Sequence, residues 1–332
     1  MSLHAAGAFD RARPLAEDLF RAEVLAGLSA RPRSLSPRWF YDRRGSELFE
    51  EITRLPEYYL TRAEREILLN HASKIAQIVG PGRAVIELGS GSSLKTPLLL
   101  NALAPSAYVP IDISGEFLRE SVAALASVFP ELAVYPIAAD FMRPFTLPLS
   151  IKGFPRLGYF AGSTIGNMTV PVAVDFLRGI ARTLGEGSLL LIGIDRIKDT
   201  RRLQAAYDDA QGITADFNLN LLHRINRELQ ATIPVDAFRH VARWNDYEAR
   251  MEMHLEATRE VRFTVAGRPF SIAQGETIHT ENSLKYGPRD ARTLLRAGGW
   301  VPVMEWTDRE NLFALILARN CALTEGPREN RQ

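Results

Sequence analysis

Between residues 87 and 112, two carboxylates and two glycines are spaced in a way that suits the binding of a ribose. Glu87 ends an apolar run and is followed by Gly89 and Gly91, a pattern typical of a buried strand that turns tightly into a helix. Glycines let a ligand approach the backbone closely, and the N–H groups that open a helix offer hydrogen bonds to a polar ligand. Asp112 ends the next apolar run, about twenty residues after the first glycine, the spacing expected of a carboxylate on ribose hydroxyls. The pattern therefore predicts a ligand that carries a ribose.

The glycine turn alone does not identify that ligand. It lacks the third glycine of a dinucleotide fingerprint, since Lys95 stands in that region, and it lacks the Gly-Lys-Ser/Thr of a P-loop. The form Glu-x-Gly-x-Gly is instead the one used for S-adenosylmethionine, with Asp112 for the ribose and Asp140 with Phe141 placed to bind and cover adenine. Two structural alternatives remain open from the sequence, namely Glu87 as a solvated strand end and Asp112 as a helix N-cap.

Composition and charge disfavour several other functions. The 332 residues include 46% hydrophobic and 24% charged residues, as in an ordinary soluble globular protein, and the net charge of +1 gives no argument for binding nucleic acid or a membrane. Cys321 is the only cysteine and the six histidines lack metal-ligand spacing, so we expect neither disulfides nor a metal site. No segment resembles a membrane span or a signal peptide. We therefore expect a cytoplasmic protein, monomeric by default, that acts on a small molecule.

Alternating apolar strands and amphipathic helices extend from the glycine turn. The strands are predicted at 85–88, 107–113, 132–137, 157–161 and 189–194, and helices between them at 114–129 and 170–184. Strands separated by helices favour right-handed crossovers and a parallel sheet, which binds ligands beyond the carboxyl ends of its strands. The glycine turn, Asp112, Asp140 and the segment 162–167 all lie at those ends. We therefore expect them to cluster.

The N-terminal part combines a helical pattern with an aromatic stretch. Apolar residues recur at helical spacing over 16–28, whereas 36–49 is rich in aromatic residues without a clear period. Thr61 and Glu64 have the spacing of a capping box, which predicts a helix from there toward Ile78.

The pattern changes after residue 196. Helices are predicted at 200–210 and 215–229, followed by strand patterns at 250–257, 260–265, 270–272 and 277–283, which we interpret as an inserted, mainly meandering subdomain. A helix at 288–297 then precedes strands at 300–306 and 312–317, whose short connection allows only an antiparallel hairpin. A parallel sheet finished by such a hairpin is the usual outline of class I methyltransferases, whereas a dinucleotide dehydrogenase would more often repeat a second mononucleotide-binding half.

Over nearly its whole length the chain resembles the L-histidine Nα-methyltransferases of ergothioneine biosynthesis. The resemblance is carried by the blocks WFYD (39–42), LPEYY (55–59), LGSGSSLKT (88–96), STIGN (163–167), AYDD (206–209), FN (217–218) and TENSLK (280–285). It implies an α/β class I (Rossmann-like) S-adenosylmethionine methyltransferase domain with an inserted α+β substrate-binding domain. It also implies the successive transfer of three methyl groups to the α-amine of L-histidine, giving hercynine.

The resemblance further implies a division of the chain and roles for individual residues. The substrate-binding domain would comprise 1–62 and 197–286 and the methyltransferase domain 63–196 and 287–332, with the active site between them. With Glu87 and Gly91 of the motif, the S-adenosylmethionine contacts would be Gly89, Lys95, Asp112, Asp140 and Phe141. The α-carboxylate and α-amine would be held by Tyr58, Asn167 and Tyr207, and the imidazole by Glu281 and Ser283 with Met253 beside the ring. The space around the methylated nitrogen would be lined by Tyr41, Phe49, Gly162 and Thr164.

The residue types suit this chemistry independently of the resemblance. An imidazole presents two ring nitrogens, so one carboxylate acceptor and one hydroxyl that can donate or accept satisfy both. A spacing of two on a strand places Glu281 and Ser283 on one face, and such a site rejects an apolar amino acid because its polar groups would be left unpaired. The predicted catalytic residues are Asn167, which would fix the amine lone pair, and Tyr41, which would help to remove the amine proton, directly or through water. The face of Phe49 would accommodate the growing ammonium by cation–π attraction.

Other interpretations of the same residues remain open from the sequence. Without the resemblance, Glu281 would be a surface strand carboxylate, and Tyr41 and Phe49 would be core aromatic residues. The same methyl transfer could act on another aromatic amino acid or amine, in which case the loss of Glu281 would matter little. A non-catalytic S-adenosylmethionine-binding protein and a nicotinamide-dependent dehydrogenase are further alternatives.

Overall fold

The computed structural model of the chain describes residues 6–91 and 95–321, with side chains from residue 17 onward. Residues 92–94 of the glycine turn, which belong to one of the blocks above, lie outside the described residues. The helices are α1 (Ala6–Ser29), α2 (Arg43–Ile52), α3 (Tyr59–Val79), α4 (Thr96–Leu103), α5 (Gly115–Val128), α6 (Val170–Leu184), α7 (Thr200–Tyr207), α8 (Ile213–Glu228) and α9 (Pro288–Ala297). The strands are β1 (Arg33–Ser34), β2 (Ala84–Leu88), β3 (Ala107–Asp112), β4 (Ala133–Val134), β5 (Ile137–Ala138), β6 (Arg156–Phe160), β7 (Leu189–Asp195), β8 (Phe238–Asn245), β9 (Arg250–Ala257), β10 (Val261–Val265), β11 (Arg268–Ile272), β12 (Thr277–Leu284), β13 (Trp300–Thr307) and β14 (Phe313–Asn320).

A large mixed sheet carries the predicted cofactor residues. Its strand order is β13-β14-β7-β6-β2-β3-β4, with β5 also paired to β3. The strands from β7 to β4 are parallel, and β14 and β13 close the sheet as an antiparallel hairpin. Every residue of β7 is buried, as expected of a parallel strand covered on both faces. The predicted parallel sheet with a terminal hairpin, the class I methyltransferase outline, is therefore confirmed.

The chain reverses its direction of travel across this sheet at β2. From β2 it proceeds to β3, β4 and β5 on one side, and then crosses to β6 and β7 on the other. Ligand sites in open parallel sheets lie beyond the strand ends at such a reversal. Gly89 follows directly on β2 and Asp112 ends β3, so the predicted cofactor residues lie at this point.

A second sheet joins the N-terminal segment to the insertion. Its order is β1-β12-β9-β8, in which β1 is parallel to β12 with Arg33 opposite Ile278, while the other neighbours are antiparallel. The strands β10 and β11 form a separate hairpin, and α2 packs against α8. The N-terminal segment and the insertion are thus in direct contact, although most of the large sheet lies between them in sequence.

The predicted capping box at Thr61 and Glu64 is wrong. The helix α3 begins earlier, at Tyr59, and its N-cap residue makes no side-chain capping hydrogen bond. Glu64 is instead fully buried, where its carboxylate pairs with Lys95 and accepts the amide of Gly162 at 3.0 Å. Charge pairing inside the protein therefore outweighs the local capping preference of this side chain.

Other predicted elements agree with the structure to within a few residues, with two exceptions. The helix predicted at 16–28 is α1, which begins ten residues earlier, at Ala6. The strand predicted at 132–137 is instead two short strands, β4 and β5, each paired to β3. The helices α6 and α9 have the predicted bounds. In the two described ranges, no helix is long and apolar enough to cross a membrane.

Candidate active site

One cavity contains all of the residues predicted to bind the amino acid. They are Tyr41, Phe49, Tyr58, Gly162, Thr164, Asn167, Tyr207, Met253, Glu281 and Ser283. Its lining is completed by residues that were not predicted, namely Ile52, Leu60, Ser163, Ala206, Thr214 and Phe217. The structure thus brings together side chains from the N-terminal segment, the turn after β6 and the insertion. Among the described residues, no group of three or more His, Cys, Asp or Glu side chains is placed to hold a metal ion.

Glu281 and Ser283 both reach the cavity from β12, as their spacing predicts. A β-bulge between His279 and Glu281 shifts the register of this strand, so that Glu281 lies opposite Met253 of β9. Bulges re-aim side chains, and this one lies beside the two residues that face the cavity.

The turn that carries Asn167 packs closely on the same strand. It is a short 3-10 helix, Thr164–Asn167, in which Gly166 is buried. A Cβ atom at Gly166 would lie 2.8 Å from the carbonyl oxygen of Leu284, so a larger residue would push the turn away from β12. Glycine at this position therefore keeps Asn167 near the cavity.

Glu281 has a buried side chain whose carboxylate faces the cavity. The residue is 9% exposed, and no donor among the described residues forms a hydrogen bond with its side chain. Burial raises its pKa to about 7, and Lys285 only partly opposes this rise. A buried carboxyl group without a hydrogen bond costs free energy, so the position suits a ligand that supplies an N–H. The alternative of a surface strand carboxylate is therefore excluded.

Two hydroxyl groups form a hydrogen-bonded pair in the same cavity. The hydroxyl of Tyr207 donates to Ser283 Oγ at 2.6 Å, and Lys285 Nζ donates to both oxygens at 2.8 Å. Burial and the neighbouring carboxylates raise the pKa of Tyr207 well above 10, so its hydroxyl is neutral. Tyr207 was predicted to hold the backbone groups of the substrate, but in this arrangement its hydrogen is directed at Ser283.

Aromatic side chains form another wall of the cavity. The rings of Tyr41 and Phe49 are 5.7 Å apart, and Phe217 lies 5.8 Å from Tyr41, both in edge contacts. Tyr41 and Phe49 also pack against the hydrophobic core, so the core interpretation and the site interpretation both apply to them. Burial, with a smaller effect of Glu281, raises the pKa of Tyr41 well above 10. Its phenol is therefore neutral and a poor direct base, which leaves proton removal through water as its possible role.

The glycine turn and Asp112 hold each other in place. Asp112 Oδ2 accepts the amide of Gly91 at 2.9 Å, and its Oδ1 accepts the amide of Ser114 at 2.9 Å. The N-cap residue of α5 is Ser114, so the alternative of Asp112 as that N-cap is wrong. Burial raises the pKa of Asp112, and these backbone donors oppose the rise.

The predicted adenine residues lie against the same turn. Gly89 has a φ of +69°, and a Cβ atom there would lie 3.2 Å from Cε1 of Phe141. Asp140 accepts a hydrogen bond from Arg38 at 2.5 Å and from the amide of Met142 at 2.9 Å. The ring of Phe141 therefore lies beside the space that a side chain at Gly89 would occupy, and Asp140 is linked to the N-terminal segment.

Glu87 is buried behind the turn. Both of its oxygens accept the Thr96 hydroxyl at 2.9 Å, and Oε2 also accepts the Tyr108 hydroxyl at 2.5 Å. Burial raises its pKa to about 7 despite these hydrogen bonds. The alternative of a solvated strand end is therefore excluded. These contacts fix the start of α4 to the sheet, and a contact with a cofactor stays a prediction.

Glu64 was not among the predicted site residues, yet it contacts two of them. Besides pairing with Lys95, its carboxylate accepts the amide of Gly162 at 3.0 Å and the Tyr159 hydroxyl at 3.3 Å. One buried carboxylate thus connects a predicted cofactor residue to the wall of the cavity. The sequence gives no signal for this contact, because Glu64 also fits a capping pattern.

Comparisons with known proteins agree with one another. A family model described as "Histidine-specific methyltransferase, SAM-dependent" matches residues 20–320. The histidine N-alpha-methyltransferase of Mycolicibacterium smegmatis is 41% identical over 313 residues, which cover 91% of this chain and 95% of that protein. The enzyme of the same name from Mycobacterium tuberculosis is 42% identical over 305 residues, covering 90% and 94%. Ergothioneine biosynthesis protein 1 of Neurospora crassa is 33% identical over 298 residues, covering 87% of this chain and 33% of that protein.

Proposed function

The chain belongs to the family of histidine-specific, S-adenosylmethionine-dependent methyltransferases, and from this we propose that it trimethylates the α-amino group of L-histidine to give hercynine, an ergothioneine-pathway reaction. The observation that carries the proposal is the buried carboxylate of Glu281, which no described residue hydrogen-bonds, in a cavity that also presents Ser283. A neutral imidazole offers one N–H and one lone pair, and these two groups are complementary to it.

The cofactor residues fit S-adenosylmethionine beyond the ends of β2 and β3. The backbone of Gly89 is bare where a Cβ would press on Phe141. Both oxygens of Asp112 accept backbone N–H groups, and a carboxylate has about four acceptor sites, so lone pairs remain for ribose hydroxyls. We propose that the remaining contacts come from Gly91, Lys95, Asp140 and Phe141, with Glu87 supporting the turn. When bound, S-adenosylmethionine supplies an electrophilic methyl group on its sulfonium.

The residues of the chain orient the amine and exclude water. In this proposal Tyr58 and Asn167 hold the α-carboxylate and α-amine, and the Asn167 amide has no competing hydrogen bond among the described residues. Holding a neutral amine at near-attack distance in a closed site lowers the barrier to transfer. The aromatic faces of Phe49 and Phe217 accommodate the growing positive charge. Tyr41, kept neutral by burial, relays the departing amine proton to water.

The direct test is mass spectrometry of the products formed by the purified protein from S-adenosylmethionine and a mixture of amino acids. Addition of three methyl masses to histidine alone is expected. Addition to another aromatic amino acid would favour the first alternative, and tight cofactor binding without any methylated product would favour a non-catalytic protein.

A variant of Glu281 separates histidine from other aromatic substrates. Glu281→Ala should reduce kcat/KM for histidine at least about a hundredfold, because the ring N–H loses its buried acceptor. Glu256→Gln is the matched control, since Glu256 lies on the neighbouring strand outside the cavity and pairs with Arg239 and Arg243. Undiminished turnover of histidine by Glu281→Ala would exclude the proposed recognition.

The domain division is part of the proposal. Its support is the pairing of β1 with β12, which joins the N-terminal segment 1–62 to the insertion 197–286. The predicted monomeric state and cytoplasmic location rest on composition alone and are carried forward as proposals.

A further inference from the structure

We infer that Lys285 is a positioning residue that forces the Ser283 hydroxyl to act only as a hydrogen-bond donor, so that the site selects a ring with an acceptor nitrogen there. The inference rests on the proposed function, because it concerns how the same site recognises the imidazole nitrogens by hydrogen bonds. It also removes an ambiguity, since a serine hydroxyl can in general either donate or accept.

The side chain of Lys285 is fully buried, and its hydrogen-bonding capacity is filled. Its Nζ contacts Asp195 Oδ2 at 2.7 Å, and Tyr207 Oη and Ser283 Oγ at 2.8 Å each. An ammonium group has three donors and no acceptor. Each of its hydrogens therefore has a defined partner, and Lys285 can only donate to the two hydroxyl oxygens.

These bonds set the direction of the hydroxyl pair. A phenolic oxygen accepts one hydrogen bond well, because its other lone pair is delocalised into the ring, and in Tyr207 Lys285 occupies that acceptor. Tyr207 must therefore donate along the 2.6 Å contact to Ser283. Ser283 Oγ then receives hydrogens from both Tyr207 and Lys285, which fills its two lone pairs. Its own hydrogen is the one left for a ligand.

The result is a site with complementary halves. Ser283 donates to a ring nitrogen that has a lone pair, and Glu281 accepts from a ring nitrogen that has an N–H. A neutral imidazole in one tautomer satisfies both groups. An imidazolium ion would place an N–H against the Ser283 hydrogen, and a ring with C–H at that point would leave this hydrogen unpaired.

Asp195 holds the charge that this arrangement needs. It is fully buried and also contacts Lys198 at 2.5 Å and the Tyr59 hydroxyl at 2.7 Å. Burial opposes its ionisation, but the two lysines outweigh this effect and lower the pKa of its carboxyl. An ionised Asp195 is the counter-ion of the Lys285 ammonium group.

Substrate analogues that each lack one ring feature test the inference. Pyrrolylalanine isomers keep one N–H and replace the other nitrogen by C–H, whereas thiazolylalanines keep an acceptor nitrogen and lack the N–H. The wild-type protein should prefer histidine to either class by about tenfold or more in kcat/KM. In Lys285→Met, the preference over pyrrolylalanine should fall at least about fivefold, because Ser283 can then turn and donate to Tyr207. The preference over thiazolylalanine, which depends on Glu281, should not change.

Lys198→Met is the matched control. Lys198 is a second, partly buried lysine on the same carboxylate, but it contacts Tyr59 and not the hydroxyl pair. It should reduce thermal stability without changing either preference. Binding of S-adenosylhomocysteine checks that each variant is folded. If Lys285→Met does not fold because Asp195 keeps only one lysine partner, the double variant Asp195→Asn/Lys285→Met replaces it.

A measurement on the wild-type protein needs no variant. The nitrogen NMR shifts of [¹⁵N]histidine bound with S-adenosylhomocysteine should show a neutral ring with one protonated and one unprotonated nitrogen. A bound imidazolium, or preferences that are the same in Lys285→Met and the wild type, would overturn the inference while leaving the proposed function intact. Failure of the wild-type protein to methylate histidine at all would instead refute the proposed function.

Discussion

Buried carboxylates near the site differ in what faces them, and this difference determines which one can take a ligand. Burial raises the pKa of Glu87 to about 7, but hydroxyl groups already occupy its oxygens. Asp195 is paired with Lys285 and Lys198. Glu281 has a pKa raised to about 7 as well, yet no hydrogen bond from the described residues. Of these three, only Glu281 gains a partner when a ligand with an N–H binds.

The raised pKa of Glu281 predicts how stability depends on pH. Its carboxyl binds a proton more tightly in the folded protein, where the pKa is about 7, than in the unfolded chain, where it is near 4.5. The protonated Glu281 therefore contributes fully to the free energy of unfolding below pH 4.5. This contribution is lost progressively as the pH rises from 4.5 to about 7. Relative to wild type, Glu281→Gln should gain stability across that window, by up to about 1.4 kcal/mol per pH unit.

The measurement is the difference in free energy of unfolding between the two proteins, by denaturant titration at several pH values without ligands. Glu87 titrates in the same window in both proteins, so its contribution cancels in the difference. A difference that is constant from pH 4.5 to 7 would contradict the raised pKa.

Glu64 lies outside the glycine turn, but we expect its substitution to weaken cofactor binding. Glu64→Gln keeps the shape of the side chain but removes the negative charge of the carboxylate. This carboxylate pairs with Lys95 and accepts the amide of Gly162. We expect the Kd of S-adenosylhomocysteine to rise about tenfold, measured by calorimetry. Glu66→Gln is the control, since Glu66 is on the same helix and, within the described ranges, accepts a hydrogen bond only from the exposed amide of Arg309. Tighter binding in Glu64→Gln would mean that Glu64 competes with the cofactor for Lys95.

At the scale of elements, the two glycines of the turn allow backbone strain to be separated from a steric clash. Both have positive φ, +69° at Gly89 and +50° at Gly91, but among the described residues only a Cβ at Gly89 would meet another side chain, Cε1 of Phe141 at 3.2 Å. Alanine at either position should cost about 1–2 kcal/mol of stability from the left-handed conformation. Gly89→Ala should in addition weaken S-adenosylhomocysteine binding several-fold more than Gly91→Ala, because it displaces Phe141. Equal affinities in the two variants would argue against a role of Phe141 in covering the cofactor.

Elements whose burial is continuous along the sequence could be predicted from it. The apolar run of β7 and the amphipathic periods of α6 and α9 state which faces are buried, and the structure has them at or near the predicted bounds. The short strands β4 and β5 lie at one side of the sheet, where partial burial leaves a weaker pattern.

Contacts between distant side chains could not be predicted in this way. Glu64 and Lys95 are 31 residues apart, and nothing local distinguishes a buried ion pair from a capping residue. Glu281 was assigned to the imidazole only through the family resemblance, since an isolated carboxylate on a strand is typical of a solvated face. Lys285 lies within a matching block, but its role depends on Asp195 at the end of β7, which only the fold brings near.

At the scale of the whole molecule, the proposed amino-acid-binding part contacts the proposed cofactor region through Arg38. Its guanidinium donates to Asp140 at 2.5 Å, also pairs with Glu23 of α1, and packs over the ring of Trp39. Asp140 is a predicted adenine contact. A cofactor that fixes the Asp140 side chain would therefore also fix Arg38 and the N-terminal segment. Arg38 is therefore positioned to couple the two binding events.

Arg43 provides a comparison, because it also bridges the two parts. It lies near Glu116 and Glu120 of α5 at 3.3 and 3.5 Å, but all three side chains are largely exposed. Exposed ion pairs are screened by solvent and contribute little. We expect S-adenosylhomocysteine to tighten histidine binding in the wild-type protein and in Arg43→Met, and this tightening to fall at least about fivefold in Arg38→Met.

Calorimetric titration of histidine with and without S-adenosylhomocysteine measures the coupling. Because coupling between two ligands is reciprocal, the reverse titration must give the same factor, which guards against a partly inactive preparation. If the bridge from Arg38 to Asp140 only stabilises the fold, Arg38→Met will lower the melting temperature and leave the factor unchanged. If the bridge couples the two binding events, Arg38→Met will reduce the tightening factor even where each separate affinity changes little. Asp140, the proposed adenine contact, is then no longer bonded to the N-terminal segment that carries the aromatic wall of the proposed histidine cavity.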